Sequence, residues 1–309
     1  MYRIGIDLGG TNIAAGVVDE SQHIVAEVSV PTGAERGSEA VVADICRAAE
    51  LAMAKAGITA AHCASIGIGS PGTCDGSRGV VVRAYNLGWF NVPVCDMVTA
   101  RLGLPCRLSN DANCAALAET VAGAAVGCRN MVLVTLGTGV GVGIVSDGKL
   151  LEGVGGTGAE AGHAILVLDG EPCTCGRKGC WEAYASATAL IRQGRRAALA
   201  HPESLLARCG DALTAKDVFD AADGGDKTAQ AVLAQYYVYV AAGVTDLVNI
   251  LGPEMVLIGG GISRQGERLL SPVREYVAAN CFGGHDRLPP VIEAARLGNE
   301  AGIIGAAAL

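Results

Sequence analysis

The sequence contains no P-loop pattern, which excludes a Walker-type phosphate cradle. No apolar run reaches the length of a membrane span, because Asp246 and Asn249 interrupt the most apolar late stretch. No membrane partner is therefore expected. No signal-peptide pattern precedes the strand-like segment that follows Met1, so a cytoplasmic location is expected. Charge is scarce, at 17% of residues, and the net charge is −8. That balance speaks against a nucleic-acid partner, whose backbone would call for a basic face. Half of the 309 residues are apolar, enough for a large core in roughly two domains.

Glycine and cysteine are abundant. Glycine, at 44 residues, has about twice its usual share, which implies tight turns or sites lined by backbone. Of the 12 cysteines, Cys46, Cys63 and Cys114 sit in Ala-rich or apolar surroundings and read as buried thiols in a reducing compartment rather than as a disulfide framework. Cys173, Cys175 and Cys180 are different. They form a C-x-C-x4-C array, with Gly176 and Gly179 between the ligands and His163 ten residues ahead of the first. Three thiolates and one imidazole make a closed tetrahedral set of the kind structural Zn²⁺ prefers, with no place left for a reactive water. The alternative is a scatter of free thiols; the clustering and the glycine spacing favour one structural zinc. Glu160 and Glu182 lie just outside the ligand set, where a metal-pinned loop would fix both carboxylates.

Alternation of apolar residues predicts strands at 2–8 and 13–18 around a tight turn, and a third strand at 24–30. Helical spacing covers 38–57, with Gly57 as the stop. Strands follow at 64–69 and 80–82, a loop at 86–89 and a short helix at 96–102. A strand at 106–108 then delivers Asn110 and Asp111 to an Ala-rich helix. Strand, Gly/Thr turn, strand recurs at 131–146 and echoes the first hairpin, which suggests a duplicated two-domain layout. Residues 183–250 are mostly helical. A strand at 254–258, a helix at 268–280, a strand at 291–295 and an apolar Gly/Ala tail at 300–309 close an α/β chain.

Each motif has a plain and a functional reading. The turn Gly9-Gly10-Thr11-Asn12 after Asp7 can be an ordinary hairpin. It can also be an anion cradle of backbone N–H groups with Asp7 placed for Mg²⁺. A second such turn, Gly137-Thr138-Gly139, raises the case for a nucleotide. Gly67-x-Gly69-x-x-Gly72 has dinucleotide spacing but contains Pro71 and runs into the turn-like stretch 73–76, so that reading is rejected. Asp111, flanked by Asn110 and Asn113, can accept a hydroxyl proton; judged alone, helix capping is the stronger reading. Gly259, Gly260 and Gly261 fit either a strand-to-helix turn or a surface lying flat against a base. His23, His62, His201 and His285 have no partner pattern and read as surface or structural.

Taken in order, these segments resemble the ROK family (repressors, open reading frames, sugar kinases). They are Asp7-x-Gly-Gly-Thr-Asn, Gly69-x-Pro71-Gly72, Asn86-x-x-Trp89, Asn110-Asp111-Ala112-Asn113, Leu136-Gly-Thr-Gly, Glu160-x-Gly162-His163, the cysteine block with Glu182, and Gly259-Gly260-Gly261. The chain looks most like the family's ATP-dependent glucokinases. The resemblance implies the two-domain actin-like, ribonuclease-H-like α/β fold with a cleft between domains. The domains expected are 1–112 with about 297–309, and 113–296 carrying the zinc loop. It implies Asp111 as the catalytic base, and Gly72, Asn86, Asn110, Glu160, His163 and Glu182 on a hexose. Asp7, Gly9, Gly10, Thr11, Asn12, Gly137, Thr138, Gly139, Gly260 and Gly261 would face ATP with its Mg²⁺. His163 would serve both zinc and sugar, one ring nitrogen for each. Asp111 is expected to be ionised at neutral pH without tuning. The partners expected are a small sugar and ATP, in a homo-oligomer, dimer or tetramer. D-glucose is the expected sugar, with N-acetylmannosamine or another hexose as the alternative. A sensor or repressor ranks lower, because the first hairpin begins at residue 2 and the net charge is negative.

Overall fold

The computed structural model describes residues 1–284 and 288–309; His285 lies outside them. The chain forms two compact units. The first is Met1–Arg129, Gly143–Ala159 and Arg296–Leu309, and the second is Asn130–Val142 and Glu160–Ala295. The helix Asp111–Val121 lies whole within the first unit, where it packs most heavily on the C-terminal helix Ala301–Ala308.

In the first unit β1 (Tyr2–Leu8), β2 (Asn12–Val18) and β3 (Ile24–Pro31) make an antiparallel meander. Helix α1 (Ser38–Lys55) turns Val41, Val42, Ile45, Ala48, Ala49 and Ala52 to the core, and the chain leaves it through Gly57 at φ +70°. β4 (Cys63–Ser70) returns parallel to β1. β5 (Thr73–Asp75), β6 (Val80–Ala84) and β7 (Trp89–Val92) form a separate antiparallel sheet. α2 (Val94–Leu102), β8 (Cys106–Asn110, parallel to β4) and α3 (Asp111–Val121) follow.

Next come β9 (Met131–Leu136), β10 (Val140–Ser146) and β11 (Lys149–Leu150). The helices of the second unit are α4 (Glu182–Ala185), α5 (Ala187–Ala200), α6 (Leu205–Cys209), α7 (Ala215–Asp223) and α8 (Lys227–Leu251). β12 (Met255–Gly259), α9 (Glu267–Asn280) and β13 (Val291–Ala294) complete it, and α10 (Ala301–Ala308) returns to the first unit. The two large sheets run β3-β2-β1-β4-β8 and β11-β10-β9-β12-β13. Each is ordered third, second, first, fourth, fifth along its own strands. The echo between the two hairpins is therefore an echo of whole sheets, and the fold is the two-domain actin-like ATPase fold.

Three segments differ from the sequence reading. The stretch at 73–76 contains strand β5, and the loop at 86–89 runs into β7. These strands are short, and their pairing depends on β6 rather than on their own periodicity. The apolar tail is α10, which packs on α3, β1 and β4. Helix α8 is long and apolar enough to cross a membrane by length and composition. Half of its apolar window is buried, and it packs on α5, α7 and α9, as a core helix does.

The docking of α10 explains the glycines of β1 and β4. A Cβ on Gly5 would stand 1.9 Å from the Ile303 carbonyl oxygen, and one on Gly67 would stand 1.8 Å from that of Ala306. On the other side of the helix a Cβ at Gly305 would stand 1.7 Å from the Cys114 carbonyl oxygen of α3. The dinucleotide-like spacing at Gly67 and Gly69 is thus a packing device. Gly67→Ala is expected to push α10 off the sheet and cost about 3 kcal/mol or more, since backbone cannot yield as a side chain does. A urea titration checks this, and an unchanged midpoint would show that α10 tolerates the displacement.

Candidate active site

The first unit gathers two carboxylates and one hairpin turn. Asp7 lies near the end of β1, and Asp111 opens α3 directly after β8. Asn110 is the N-cap of α3. Its Oδ1 accepts from the Ala112 N–H at 2.8 Å, and its Nδ2 donates to the Gly72 carbonyl at 3.0 Å. Gly72 sits at φ +87°, and a Cβ there would meet the Arg83 carbonyl oxygen at 2.1 Å. Asn110 thus caps the helix and also pins the loop that begins at Gly72. Asp111 Oδ1 accepts from the same Ala112 N–H at 2.9 Å. Capping and site geometry are not alternatives here, since Asn110 caps and Asp111 is held beside it.

Asp111 is open to solvent, yet the surrounding protein raises its carboxyl pKa by desolvation. The Ala112 N–H and Asn110 oppose that rise, and solvent access damps it. Asp111 is therefore tuned upward, against the expectation of none. Asp7 is only partly exposed. Burial, and then the charge of Asp111, raise it from 3.8 to about 6. A Cβ on Gly302 of α10 would stand 2.5 Å from the Asp7 carboxyl carbon, so the start of α10 walls this carboxylate. Beneath them Cys114 is fully buried, and its thiol is held well up by burial first and then by Asp111.

The turn at 9–12 is closed by the Gly9 N–H donating to Asn12 O at 2.9 Å. Thr32 braces it twice: its hydroxyl donates to Gly9 O at 2.7 Å, and its N–H to Thr11 O at 2.8 Å. Gly10, Thr11 and Asn12 stay exposed. Asn86 stands beside the turn, with its Nδ2 3.2 Å from where a Cβ on Gly10 would be.

The second unit gathers the other turn, the glycine run and the cysteine block. The Gly137 N–H donates to Gly139 O at 3.0 Å. The N-terminus of α5 docks on this turn: the Ala187 N–H donates to Gly137 O at 2.8 Å, and the Thr188 hydroxyl to Thr138 O at 2.9 Å. Gly260, at φ +80°, touches the same place, since a Cβ on it would meet the Leu136 carbonyl oxygen at 2.5 Å. Nothing stands within 4 Å of a Cβ on Gly261.

His163, Cys173, Cys175 and Cys180 converge, with their donor atoms all within 4.8 Å of one another. Cys173 Sγ lies 3.6 Å from His163 Nδ1, and Cys175 Sγ lies 3.6 Å from Cys180 Sγ. Ligands on a tetrahedral zinc at about 2.0–2.3 Å stand roughly 3.5–3.8 Å apart, so these two pairs match the edges of such a centre. Thiols this close resist ionising together. Burial pushes Cys173 up to about 12. Cys175, despite its own desolvation, is brought to about 7 by the Arg177 N–H and its thiol neighbours. A divalent cation accepts all three as thiolates.

Glu182 connects this block to the 137–139 turn. Its Oε2 accepts from the Val140 N–H at 3.1 Å, and its Oε1 from the Thr174 hydroxyl at 3.1 Å, with Cys173 Sγ at 3.4 Å. A Cβ on Gly139 would stand 2.3 Å from Glu182 Oε2. Glu160 is exposed, and its carbonyl accepts from the His163 N–H at 3.0 Å. It follows Ala159, whose φ of +62° is strained for a residue with a Cβ. Outside the site, His23 stands near Asp19, His62 closes a capping box with Thr59, and His201 contacts Glu203.

Two residues escaped the sequence reading. Glu152 accepts from Ser109 Oγ, immediately ahead of Asn110; a lone carboxylate in the glycine-rich run 148–158 was its only signal. Thr32 had none, because its role depends on β3 ending beside the 9–12 turn.

The fold and these clusters belong to a known class. Residues 3–309 match the ROK family, and the chain is a member of it. The glucokinase of Streptomyces coelicolor is 40% identical over 99% of this chain and 96% of its own. An N-acetylmannosamine kinase of Salmonella typhi is 33% identical over 100% and 98%. The structure of a ROK family glucokinase from Streptomyces griseus with glucose and AMPPNP superposes with a TM-score of 0.83 at 38% identity, covering 100% and 98% of the two chains.

Asp7 yields a pH prediction. Its folded pKa of about 6 lies above the ordinary 3.8. The stability linked to its proton is full below 3.8 and is lost as pH rises through 6. The cost above that window is roughly 2–3 kcal/mol. Asp7→Asn is therefore expected to gain stability over the parent at pH 8 and to lose most of that gain at pH 4. Chemical denaturation at both pH values checks this; a gain independent of pH would assign the strain to packing instead.

Proposed function

We infer that this chain is an ATP-dependent kinase that transfers a phosphoryl group to the 6-hydroxyl of D-glucose. The observation that carries the reading is end-to-end likeness to glucokinases, one of them solved with glucose and AMPPNP. The N-acetylmannosamine kinase likeness supports a second reading, in which the same frame takes that sugar.

The proposed roles follow from the geometry. Asp111 takes the sugar hydroxyl proton. A pKa tuned upward by its surroundings makes its carboxylate a better proton acceptor. Asn110, Gly72 and Asn86 are assigned to the sugar, and Glu160, His163 and Glu182 to its hydroxyls. The turns Gly9–Asn12 and Gly137–Gly139, with Gly260 and Gly261, are assigned to ATP. At both turns backbone N–H groups offer anion donors, and at 137–139 the N-terminus of α5 adds a favourable dipole. Asp7 would hold Mg²⁺, which supplies charge neutralisation on the phosphates. Phosphoryl transfer has a loose transition state, so positioning and charge carry most of the catalysis.

One structural Zn²⁺ on His163, Cys173, Cys175 and Cys180 is part of the proposal. It would anchor the segment that bears Glu160 and Glu182 and fix the tautomer of His163. A homo-oligomer, dimer or tetramer, is proposed on the exposed apolar side chains Ile165, Leu168 and Ile250, at 51, 83 and 78%. A cytoplasmic location is proposed on the many free thiols.

Asp111→Ala is expected to lower kcat by about 10²–10⁴ while changing stability by no more than about 2 kcal/mol. A steady-state assay with a denaturation curve checks both, and near-normal turnover would move the base elsewhere. Elemental analysis should find one zinc per chain, and chelation should raise the glucose KM about 10–100-fold. Metal-free protein with full activity would remove zinc from the scheme. A panel of glucose, mannose, fructose, allose, N-acetylglucosamine and N-acetylmannosamine in an ADP-release assay tests the substrate. Higher kcat/KM for N-acetylmannosamine would select the second reading, and no sugar-stimulated ADP release would overturn both.

A further inference from the structure

A cavity of about 420 Å³ opens inside the second unit, away from the residues assigned to sugar and ATP. It lies between α5 and α8 and is closed by Glu171 and Tyr184. Its volume is within the range of small-molecule sites, roughly 300–1,000 Å³. Two guanidinium groups there share one carboxylate. Arg196 is bidentate on Glu171, with Nη2 to Oε2 at 3.0 Å, and Arg192 Nε stands 3.7 Å from the same Oε2. That separation is too long for a hydrogen bond. Arg192 Nε is buried with no partner among the described residues, which is costly for a charged donor. The remaining walls are mainly apolar, with Gln193, His201, Thr228 and Gln235 among them. Tyr184 and Tyr239 meet at 4.8 Å between ring centroids, and small Ala197 and Ala231 leave the space open.

We propose that this cavity is an effector site for a small organic carboxylate with an aromatic body, coupled to Glu182. The excess positive charge and the orphan Nε call for an anionic oxygen, which a guanidinium receives well. The tyrosine pair and the alanines call for a flat apolar body, since a bare inorganic anion would leave most of the volume unfilled.

The coupling runs through short covalent and hydrogen-bonded links. Glu171 precedes Cys173 by two residues, and Tyr184 follows Glu182 by two within α4. The Glu171 N–H donates to Tyr184 Oη at 2.7 Å. Arg192 Nη2 donates to the Ala183 carbonyl, and Gln193 Nε2 to that of Tyr184 at 2.9 Å. A ligand carboxylate that recruits Arg192 and Arg196 draws them from Glu171 and from α4, and so loosens both ends of the segment that positions Glu182. Bound ligand then weakens sugar binding, and by linkage sugar weakens the ligand. This coupling rests on the assignment of Glu182 to the sugar; the binding site itself does not.

The test uses the full chain and indole-3-acetate as probe, with indole-3-acetamide and acetate as comparators. Calorimetry without sugar or ATP should show indole-3-acetate binding at least tenfold more tightly than either comparator. Arg192→Met and Ala231→Leu should each weaken it at least tenfold. Ala231→Leu fills the cavity without touching the ion network, so it decides the matter if Arg192→Met fails to fold. At saturating probe, the KM for the sugar that the panel selects should rise three- to tenfold with kcat within twofold. Equal binding of the amide, or binding untouched by Ala231→Leu, would overturn the site. An unchanged KM at saturation would overturn the proposal as a coupled effector site.

Discussion

The backbone contact of α10 with β1, β4 and α3 is the constraint on which the first unit depends. A helix normally packs 8–10 Å from its neighbour because side chains intervene. Here glycines at Gly5, Gly67 and Gly305 remove those side chains, and carbonyl oxygens take their place. The sheet, the helix that begins at Asp111 and the last helix of the chain are thereby drawn into one block. Asp7 and Asp111 project from two parts of that block. Burial in that block first, and then the charge of Asp111, raise the pKa of Asp7.

Two like charges held near each other store an electrostatic cost that a cation can relieve. The braces of the first unit are polar and specific: Asn110 to the Gly72 loop, Thr32 to the 9–12 turn, and Ser109 to Glu152. None is a long-range charge pair. Each fixes a backbone segment of the first unit.

In the second unit the organising node is Glu182. One of its oxygens is fixed by a backbone N–H next to the 137–139 turn, and the other by Thr174 within the cysteine block. A metal at His163, Cys173, Cys175 and Cys180 would therefore brace the glycine turn as well as its own loop. The strained φ at Ala159, just ahead of Glu160, marks the same segment as one whose geometry is held by its surroundings.

The α/β class, the hairpins ending in Gly/Thr turns, the Asn110–Asp111 junction and the cysteine block were legible because each depends on residues close in sequence. A strand declares itself by alternation, a cap by one side chain, and a metal site by ligand spacing. The strands β5 and β7 were hidden because three or four residues carry too little periodicity to be told from turns. Helix α10 read as a tail, since a run of Gly and Ala has no amphipathic stripe; every face of it is buried. The meaning of Gly67, the brace at Thr32, the carboxylate of Glu152 and the elevated pKa of Asp7 were settled only by tertiary structure. Each is defined by a partner far along the chain, and burial, close approach and charge proximity arise only when distant segments meet.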